Sequence, residues 1–385
     1  MSLKKKRIMI ISPFASPNIG GVESHLDKLI RKATENDFYV ILITYQPLTT
    51  KTQWKKKDSD RNFEIHRARW YGVGLFTKIE NYFPVVFFYL FPGLFIKSLT
   101  YYIKHHKSIH CIHAHGLAAA TIARLLKLFK KKRIILSTHA IYRFAHRPTL
   151  SWIVKKILNE FDYIMGVSEV SKDEIVKMGL PKERVGVHKN WVDTSIFSAI
   201  PIEQARERVG IGNEINLLFV GRFLEIKGVG ILCDVARNLK DIQFHFVGTG
   251  PLLEKVQKAA EELDNVTYYG VLKQDNPKEK EKLTDLYNAC DYFVSPYTYD
   301  EGFSATLVES VCCGTPVIVT NRGSPPTFLD NTVALFLSED PTKEELIEFL
   351  GNLKRKTEKE QNICRNFALS NLGESNADFI LEQYL

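Results

Sequence analysis

Two glutamates, Glu301 and Glu309, lie eight positions apart in DEGFSATLVES, Asp300–Ser310. A Gly-Phe pair, Gly302 and Phe303, follows the first, and an apolar run of helical character leads to the second. Three chemistries use two carboxylates in such a setting: the acid and nucleophile of a hydrolase, a pair of metal ligands, or acceptors for sugar hydroxyls. A hydrolytic pair holds its carboxyls about 5–10 Å apart around one bond. That reading leaves the cations and glycine turns elsewhere in the chain without a purpose.

The cations stand in VGRFLEIKG, Val220–Gly228. Arg222 sits just past a strand-like run, and Lys227 follows five residues later. A planar guanidinium and a compact ammonium suit a diphosphate. The plain alternative is two solvated surface cations, but the end of a strand is where open α/β sheets take ligands. VGTGPL, Val247–Leu252, places Gly250 in a glycine turn at the next strand end. SPNIGGVESH, Ser16–His25, puts Gly20 and Gly21 before a helix, where backbone N–H groups can approach an anion. It is not the G-x-G-x-x-G dinucleotide fingerprint. Gly302 and Phe303 set backbone amides near a further helix start.

The histidines come next. IHCIHAHG, Ile109–Gly116, ends a strand with His113 and His115, which alternation puts on one face. Such a pair can hold a metal, but no third ligand stands at a suitable spacing. His139 ends the adjacent strand-like run IILST, where a single histidine is more often structural but, at a cleft edge, is also a candidate acceptor contact.

The elements that position these residues alternate between strands and helices. Apolar runs at Arg7–Ser12, Tyr39–Thr44, Ile109–His113, Arg133–Thr138 and Tyr163–Ser168 are separated by helical segments such as Glu23–Ala33, Leu117–Lys130 and Val170–Met178. Near-continuous apolar strands with intervening helices predict a parallel sheet covered on both faces. The series restarts with Ile215–Arg222, Ile242–Gly250, Asp291–Pro296 and Thr315–Thr320. The fold class is α/β, with two Rossmann-like domains joined near residue 192. The expected division is 1–192, 193–370, and a C-terminal helix over 371–385 packing back on the first domain. Two domains also suit a chain of 385 residues.

Six scattered cysteines with no Cys-x-x-Cys pair fit reduced thiols in a cytoplasmic setting. The charge is uneven. Residues 1–192 hold 33 Lys and Arg against 14 Asp and Glu, and the remainder holds 19 against 30. Residues 81–159 contain no acidic side chain but many lysines and arginines. This basic stretch is either a solvated face or a surface attracted to an anionic membrane or substrate. It carries no recognisable nucleic-acid motif, so no specific nucleic-acid partner is expected. Within it, Asn81–Ile96 has sixteen residues without a charge. That is short of the roughly 20 needed to span a bilayer, and Pro84 and Pro92-Gly93 interrupt it. A buried helix is the first reading, and an aromatic face at a membrane or lipid-acceptor cleft the second.

Taken in order, GGVESH, HAHG, VSEVSKDEIVKMGLPKERV, NWVDTSIF, VGRFLEIKG, VGTGPLLEKV and EGFSATLVESVCCGTPVIVT resemble the retaining glycosyltransferases of family four, which have the GT-B fold. The resemblance covers nearly the whole chain. It implies two Rossmann-like domains facing each other across a cleft, the second binding a nucleoside-diphosphate sugar and the first most of the acceptor. It implies that Glu309 binds the ribose hydroxyls and Glu301 the donor sugar, with the amides near Gly302 and Phe303 helping. It further implies that Arg222 and Lys227 neutralise the leaving diphosphate, that Gly20 and Gly21 close over the phosphates and acceptor, and that His115, and then His113, face the reacting sugar. No cofactor or metal is expected. A glycan, lipid-linked or anionic acceptor is expected, with peripheral contact to an anionic membrane through residues 81–159. Two further readings share or bypass the architecture: a sugar-nucleotide 2-epimerase, and a non-catalytic nucleic-acid-binding protein. The chain departs from the family at Ser324 and Pro325, where Gly-Gly-Ile-Pro-Glu is common, so that Thr327 stands near a frequent glutamate. It departs also at Ala334 and Trp191, where glycine is usual.

Overall fold

A computed structural model describes residues 5–18, 20–71, 74–79, 82–139, 148–189, 191–273 and 276–385. The chain forms two compact units. Unit 1 comprises Met1–Asn190 together with Ser375–Leu385, and unit 2 comprises Trp191–Glu374. Arg143 and Arg147 of the basic stretch lie outside the described residues.

Unit 1 holds β1 (Lys6–Ile11), β2 (Phe38–Tyr45), β3 (Lys57–Asp60), β4 (Phe63–Ala68), β5 (Ile109–His115), β6 (Arg133–Ser137), β7 (Tyr163–Gly166) and β8 (Val185–Val187). They lie in the order β3-β4-β2-β1-β5-β6-β7-β8, parallel except for the β3–β4 pair. The central strands are apolar on both faces because helices cover both. Ile8, Met9, Ile10 and Ile11 are all fully buried. The hairpin of β3 and β4 was not legible as strand, because KDSD and FEIHRA lack an apolar run.

Unit 2 holds β9 (Ile215–Arg222), β10 (Ile242–Thr249), β11 (Val266–Tyr268), β12 (Tyr292–Ser295), β13 (Val317–Thr320) and β14 (Ala334–Leu337). Its order is β11-β10-β9-β12-β13-β14, all parallel. Both units are therefore Rossmann-like. The last helices divide between them: Glu358–Asn371 belongs to unit 2 and Asn376–Glu382 to unit 1.

The aromatic stretch corrects the sequence reading. It forms one helix, Phe83–His105, that runs through Pro92. Pro84 sits in the first turn, where its missing N–H costs nothing. At Pro92 the chain is rescued by Tyr45 of β2. Its hydroxyl donates to the Leu90 carbonyl and accepts from the Leu94 N–H, both at 2.7 Å. The side chain thus stands in the gap of the i→i−4 ladder. Gly93 is required there, since a Cβ would lie 2.4 Å from the Trp70 ring. Nor is the helix buried all round. Leu90, Leu94, Tyr101 and Tyr102 pack inward, while Val85, Phe88, Ile96 and Ile103 are exposed. By length and composition, Pro84–His105 is apolar enough to cross a membrane, yet its inner face is part of the sheet's core.

Candidate active site

In unit 2 the carboxyl ends of β9 and β12 bring the cations and one carboxylate together. β9 ends at Arg222, which is exposed. A short turn and a 3-10 segment, Glu225–Lys227, follow. They end in Gly228 at φ +79°, where a Cβ would meet the Pro296 carbonyl oxygen at 2.4 Å. Only glycine lets the Lys227 loop lie that close to the end of β12. The Lys227 ammonium binds the Glu301 carboxylate, and the Tyr299 hydroxyl donates to the same oxygen. The ammonium also stands 4.9 Å from the centre of the Tyr299 ring. Burial pushes the Tyr299 hydroxyl far above its ordinary range, the Glu301 charge adds to this, and Arg222 opposes it. Tyr299 is therefore a permanent donor at neutral pH.

The Glu301 backbone is clamped as well. Gly323, at φ +69°, lies so close that a Cβ would sit 2.6 Å from the Glu301 nitrogen and oxygen. The Ser324 N–H donates to the Glu301 carbonyl at 2.8 Å. The departure from the family pattern at Ser324 thus falls on the loop that holds Glu301. Ser324 Oγ is buried with no hydrogen-bond partner among the described residues.

Glu309 lies about one turn into the helix Ala305–Cys312. It is buried and accepts from the Tyr287 hydroxyl at 2.9 Å. Tyr287 stays protonated because burial, then the Glu309 charge, raises its pKa well above the ordinary value. The two glutamates thus have separate polar partners, which suits two different hydroxyl contacts better than one shared bond. Gly302 and Phe303 form the loop between them, and the Phe303 ring packs on Phe328 at 5.4 Å. Ser304 precedes the helix without capping it, its hydroxyl meeting that of Thr306 at 3.0 Å. The first-turn amides there are thus not taken by their own N-cap side chain. Gly250 presses on Phe223, where a Cβ would come within 2.7 Å of the backbone nitrogen. That gives Gly250 a packing reason independent of any ligand.

Unit 1 gathers the histidines. β5 carries His113 and His115 on one face, their rings 4.1 Å apart. His113 is fully engaged, with Nδ1 at 2.8 Å from the Tyr384 hydroxyl and Nε2 at 2.9 Å from Ser137 Oγ. Both of its ring nitrogens are thus engaged within unit 1. His115 Nδ1 lies 2.8 Å from His139 Nε2, and these two rings stack at 5.0 Å. Sequence spacing showed no third ligand beside His113 and His115. The fold supplies His25 and His139 next to His115. Burial keeps these imidazoles neutral: His25 and His115 are held well below the ordinary histidine range, and His139 is lowered to about 3.

Gly20 and Gly21 open the helix Gly21–Glu35, as expected, but its N-terminus already has a carboxylate nearby. A Cβ on Gly20 would lie 2.5 Å from Glu23 Oε2. Glu23 is buried, and burial raises its pKa. The chain also contains an Asp-x-Asp triplet, Asp58–Asp60, of the kind that often holds a metal. It lies on the edge strand β3, and Asp58 pairs with Arg67 at 2.6 Å.

Sequence reasoning missed Tyr299, Tyr287, Gly323 and His25. Tyr299 stood two residues before Glu301 and His25 in the quoted GGVESH, but neither position announces its partner.

Residues 201–368 match the model of the glycosyl transferases group 1, and residues 19–196 that of glycosyltransferase family 4. An uncharacterized glycosyltransferase of Methanocaldococcus jannaschii is 23% identical over 89% of this chain and 88% of its own. The GPI3 subunit of phosphatidylinositol N-acetylglucosaminyltransferase from Saccharomyces cerevisiae is 24% identical over 94% of this chain and 76% of its own. Sucrose-phosphate synthase from Thermosynechococcus elongatus has the same fold, with a TM-score of 0.78 at 18% identity over 99% and 98% of the two chains. So does Anabaena HepE in complex with UDP and glucose, with a TM-score of 0.72 at 18% identity over 97% and 98%. The α/β fold with two Rossmann-like units expected from the sequence is that of GT-B proteins. The chain belongs to the family-four, group 1 glycosyltransferases.

Proposed function

We propose that the protein transfers a sugar from a nucleoside-diphosphate sugar to a hydroxyl acceptor with retention of configuration. The observation that carries this reading is the Arg222–Lys227–Glu301–Tyr299 group at the carboxyl ends of β9 and β12. Negative charge builds on the diphosphate as it leaves, and fixed cations aimed at that charge are the largest catalytic contribution such a site can make. Arg222 and Lys227 supply that charge. The first-turn amides of Ala305–Cys312 add the positive end of a helix. Glu301 accepts from the donor sugar, and Glu309 from the ribose. His115 addresses the reacting sugar, and Gly20 and Gly21 close over the phosphates and the acceptor. No step in this reading uses a metal or a cofactor.

The acceptor is lipid-linked or anionic. Unit 1 carries the exposed face of Phe83–His105, and near it in sequence the exposed Leu128, Phe129 and Trp152. The Lys156 ammonium stands 3.7 Å over the Trp152 ring. Exposed aromatic and aliphatic residues among lysines suit an interfacial surface on an anionic bilayer. The yeast relative's name also includes phosphatidylinositol, a lipid. The setting that follows is cytoplasmic, on the inner membrane face.

The test is calorimetric binding of UDP, GDP and ADP and their common sugar conjugates to wild type and Glu309→Gln. Tight binding of one nucleotide, weakened in the variant, supports the donor site. Transfer to a lipid acceptor is then followed by NMR of the new anomeric centre. An inverted product overturns the retaining mechanism. Equal binding of all nucleotides to both proteins overturns the donor site.

A further inference from the structure

Four histidines of unit 1 come from four separate places in the sequence. His25 lies on the helix after β1, His115 ends β5, His139 follows β6, and His188 follows β8. The sheet order β1-β5-β6-β7-β8 makes these strand ends neighbours, so the four side chains meet beyond one edge. One ring nitrogen each of His25, His115 and His139 lies within 4.8 Å of the others. Among the described residues this group contains no carboxylate.

We infer that His25, His115 and His139 form a binding site for a divalent transition-metal ion of the zinc class. The ligand chemistry is specific. Imidazole nitrogen suits zinc, copper, iron and nickel, whereas magnesium, calcium and manganese prefer oxygen. Three histidines leave the fourth tetrahedral position for water.

The contacts within the group agree. His115 Nδ1 and His139 Nε2 are 2.8 Å apart, so one nitrogen donates and the other offers its lone pair. Two nitrogens on a tetrahedral zinc ion lie about 3.3 Å apart, given zinc–nitrogen bonds of roughly 2.0–2.1 Å. An ion between these rings therefore replaces the shared proton and opens the contact by only about half an ångström. The ion takes His115 through Nδ1, so the buried Nε2 on the far side of the ring, without a hydrogen-bond partner among the described residues, is not the ligand atom. His188 forms a wall. Its Nε2 donates to the Thr138 carbonyl at 3.1 Å, and its ring centre lies 5.1 Å from that of His25 and 5.6 Å from that of His139. His113, with both nitrogens bound, is not a ligand.

Binding does not depend on the glycosyl-transfer reading. One consequence does: an ion on His115 removes that imidazole from any contact with a sugar, so zinc would inhibit transfer.

The experiment uses the full chain stripped with chelator and titrated with Co2+, read by the d–d absorption of a tetrahedral site. One equivalent should bind and be displaced by one equivalent of Zn2+. His139→Gln and His25→Gln should each weaken binding by at least about tenfold, while His245→Gln, in unit 2 and bound to Tyr269 and Asn216, should leave it unchanged. His139 is only half-buried, so its variant is expected to keep the wild-type circular dichroism and decides the matter should His25→Gln not fold. A stripped wild type with no cobalt spectrum overturns the site. So does a folded His139→Gln that titrates like wild type. Neither outcome bears on donor binding, which is read separately by nucleotide calorimetry.

Discussion

Arg222→Ala and Lys227→Ala are expected to lose similar amounts of sugar transfer while differing in stability. Arg222 is exposed, and its side chain makes no hydrogen bond or ion pair among the described residues, so its removal leaves nothing unpaired. Surface changes of that kind stay within about 0.5 kcal/mol of wild type. Lys227 is different, because it is tied to Glu301, which is only 9% exposed. Removing the ammonium leaves that carboxylate with Tyr299 as its one side-chain donor among the described residues. A charged hydrogen bond contributes roughly 1.5–3 kcal/mol, and partial solvation of the Lys227 side chain (24% exposed) reduces this to about 1–2 kcal/mol. For a domain of this size the melting temperature should fall by roughly 2–8 °C. In catalysis, each cation faces charge that develops only as the diphosphate leaves. Losing one such donor costs about 2.7–4 kcal/mol, or roughly 100–1000-fold in rate. The assay is initial rate of transfer with the donor identified by calorimetry, paired with a thermal scan. A cycle with Glu301→Gln separates the roles. If Lys227 acted only by holding Glu301, its removal from the Glu301→Gln protein would cost nothing more. That result, or wild-type transfer by Arg222→Ala, would refute the diphosphate assignment.

Glu309→Gln should keep the fold, since an amide oxygen still accepts from Tyr287, and should weaken nucleotide binding by about tenfold or more, read by calorimetry. Tyr45→Phe removes the hydroxyl between Leu90 and Leu94 and should cost about 1–3 kcal/mol, read by urea unfolding. Lys356 is buried, donates to Asn288 and Thr315, and has its pKa lowered by burial to about 8. Its folded pKa lies below the unfolded 10.5, so the unfolded chain binds more protons between those values and stability rises with pH across that window. The rise is on the order of 3 kcal/mol. It should be absent from Lys356→Met in parallel denaturant titrations at pH 8 and 10.5. Phe88→Asp, on an exposed position, should leave stability unchanged and reduce sedimentation with anionic-lipid vesicles, an association that weakens as salt rises. Wild-type sedimentation by the variant, or equal binding to neutral vesicles, counts against the membrane face.

The central strands of both sheets were legible because apolar residues on both faces leave a continuous signal, as in RIMIIS and INLLFVGR. The strand-end positions of Arg222 and Lys227 followed from that frame. The edge hairpin was not legible, because half-solvated strands such as KDSD carry no apolar run. Pro92-Gly93 misled because a proline's cost depends on what stands opposite it, and Tyr45 lies 47 residues earlier. The same limit hid the histidine group. Neighbouring strand ends in a parallel sheet collect residues far apart in the chain, so no local spacing marks a three-ligand set.

The hydroxyl in the helix gap has a consequence for how this chain can change over generations. Tyr45, Pro92 and Gly93 solve one problem jointly: the proline withholds a donor, the tyrosine fills the opening, and the glycine makes room for Trp70 beside it. Substituting any one alone leaves the other two serving a purpose that no longer exists. Restoring an ordinary helix packed on this sheet would take changes at more than one of these positions. The three positions are therefore expected to be inherited as a block, and a descendant that has lost the proline should tolerate phenylalanine at position 45.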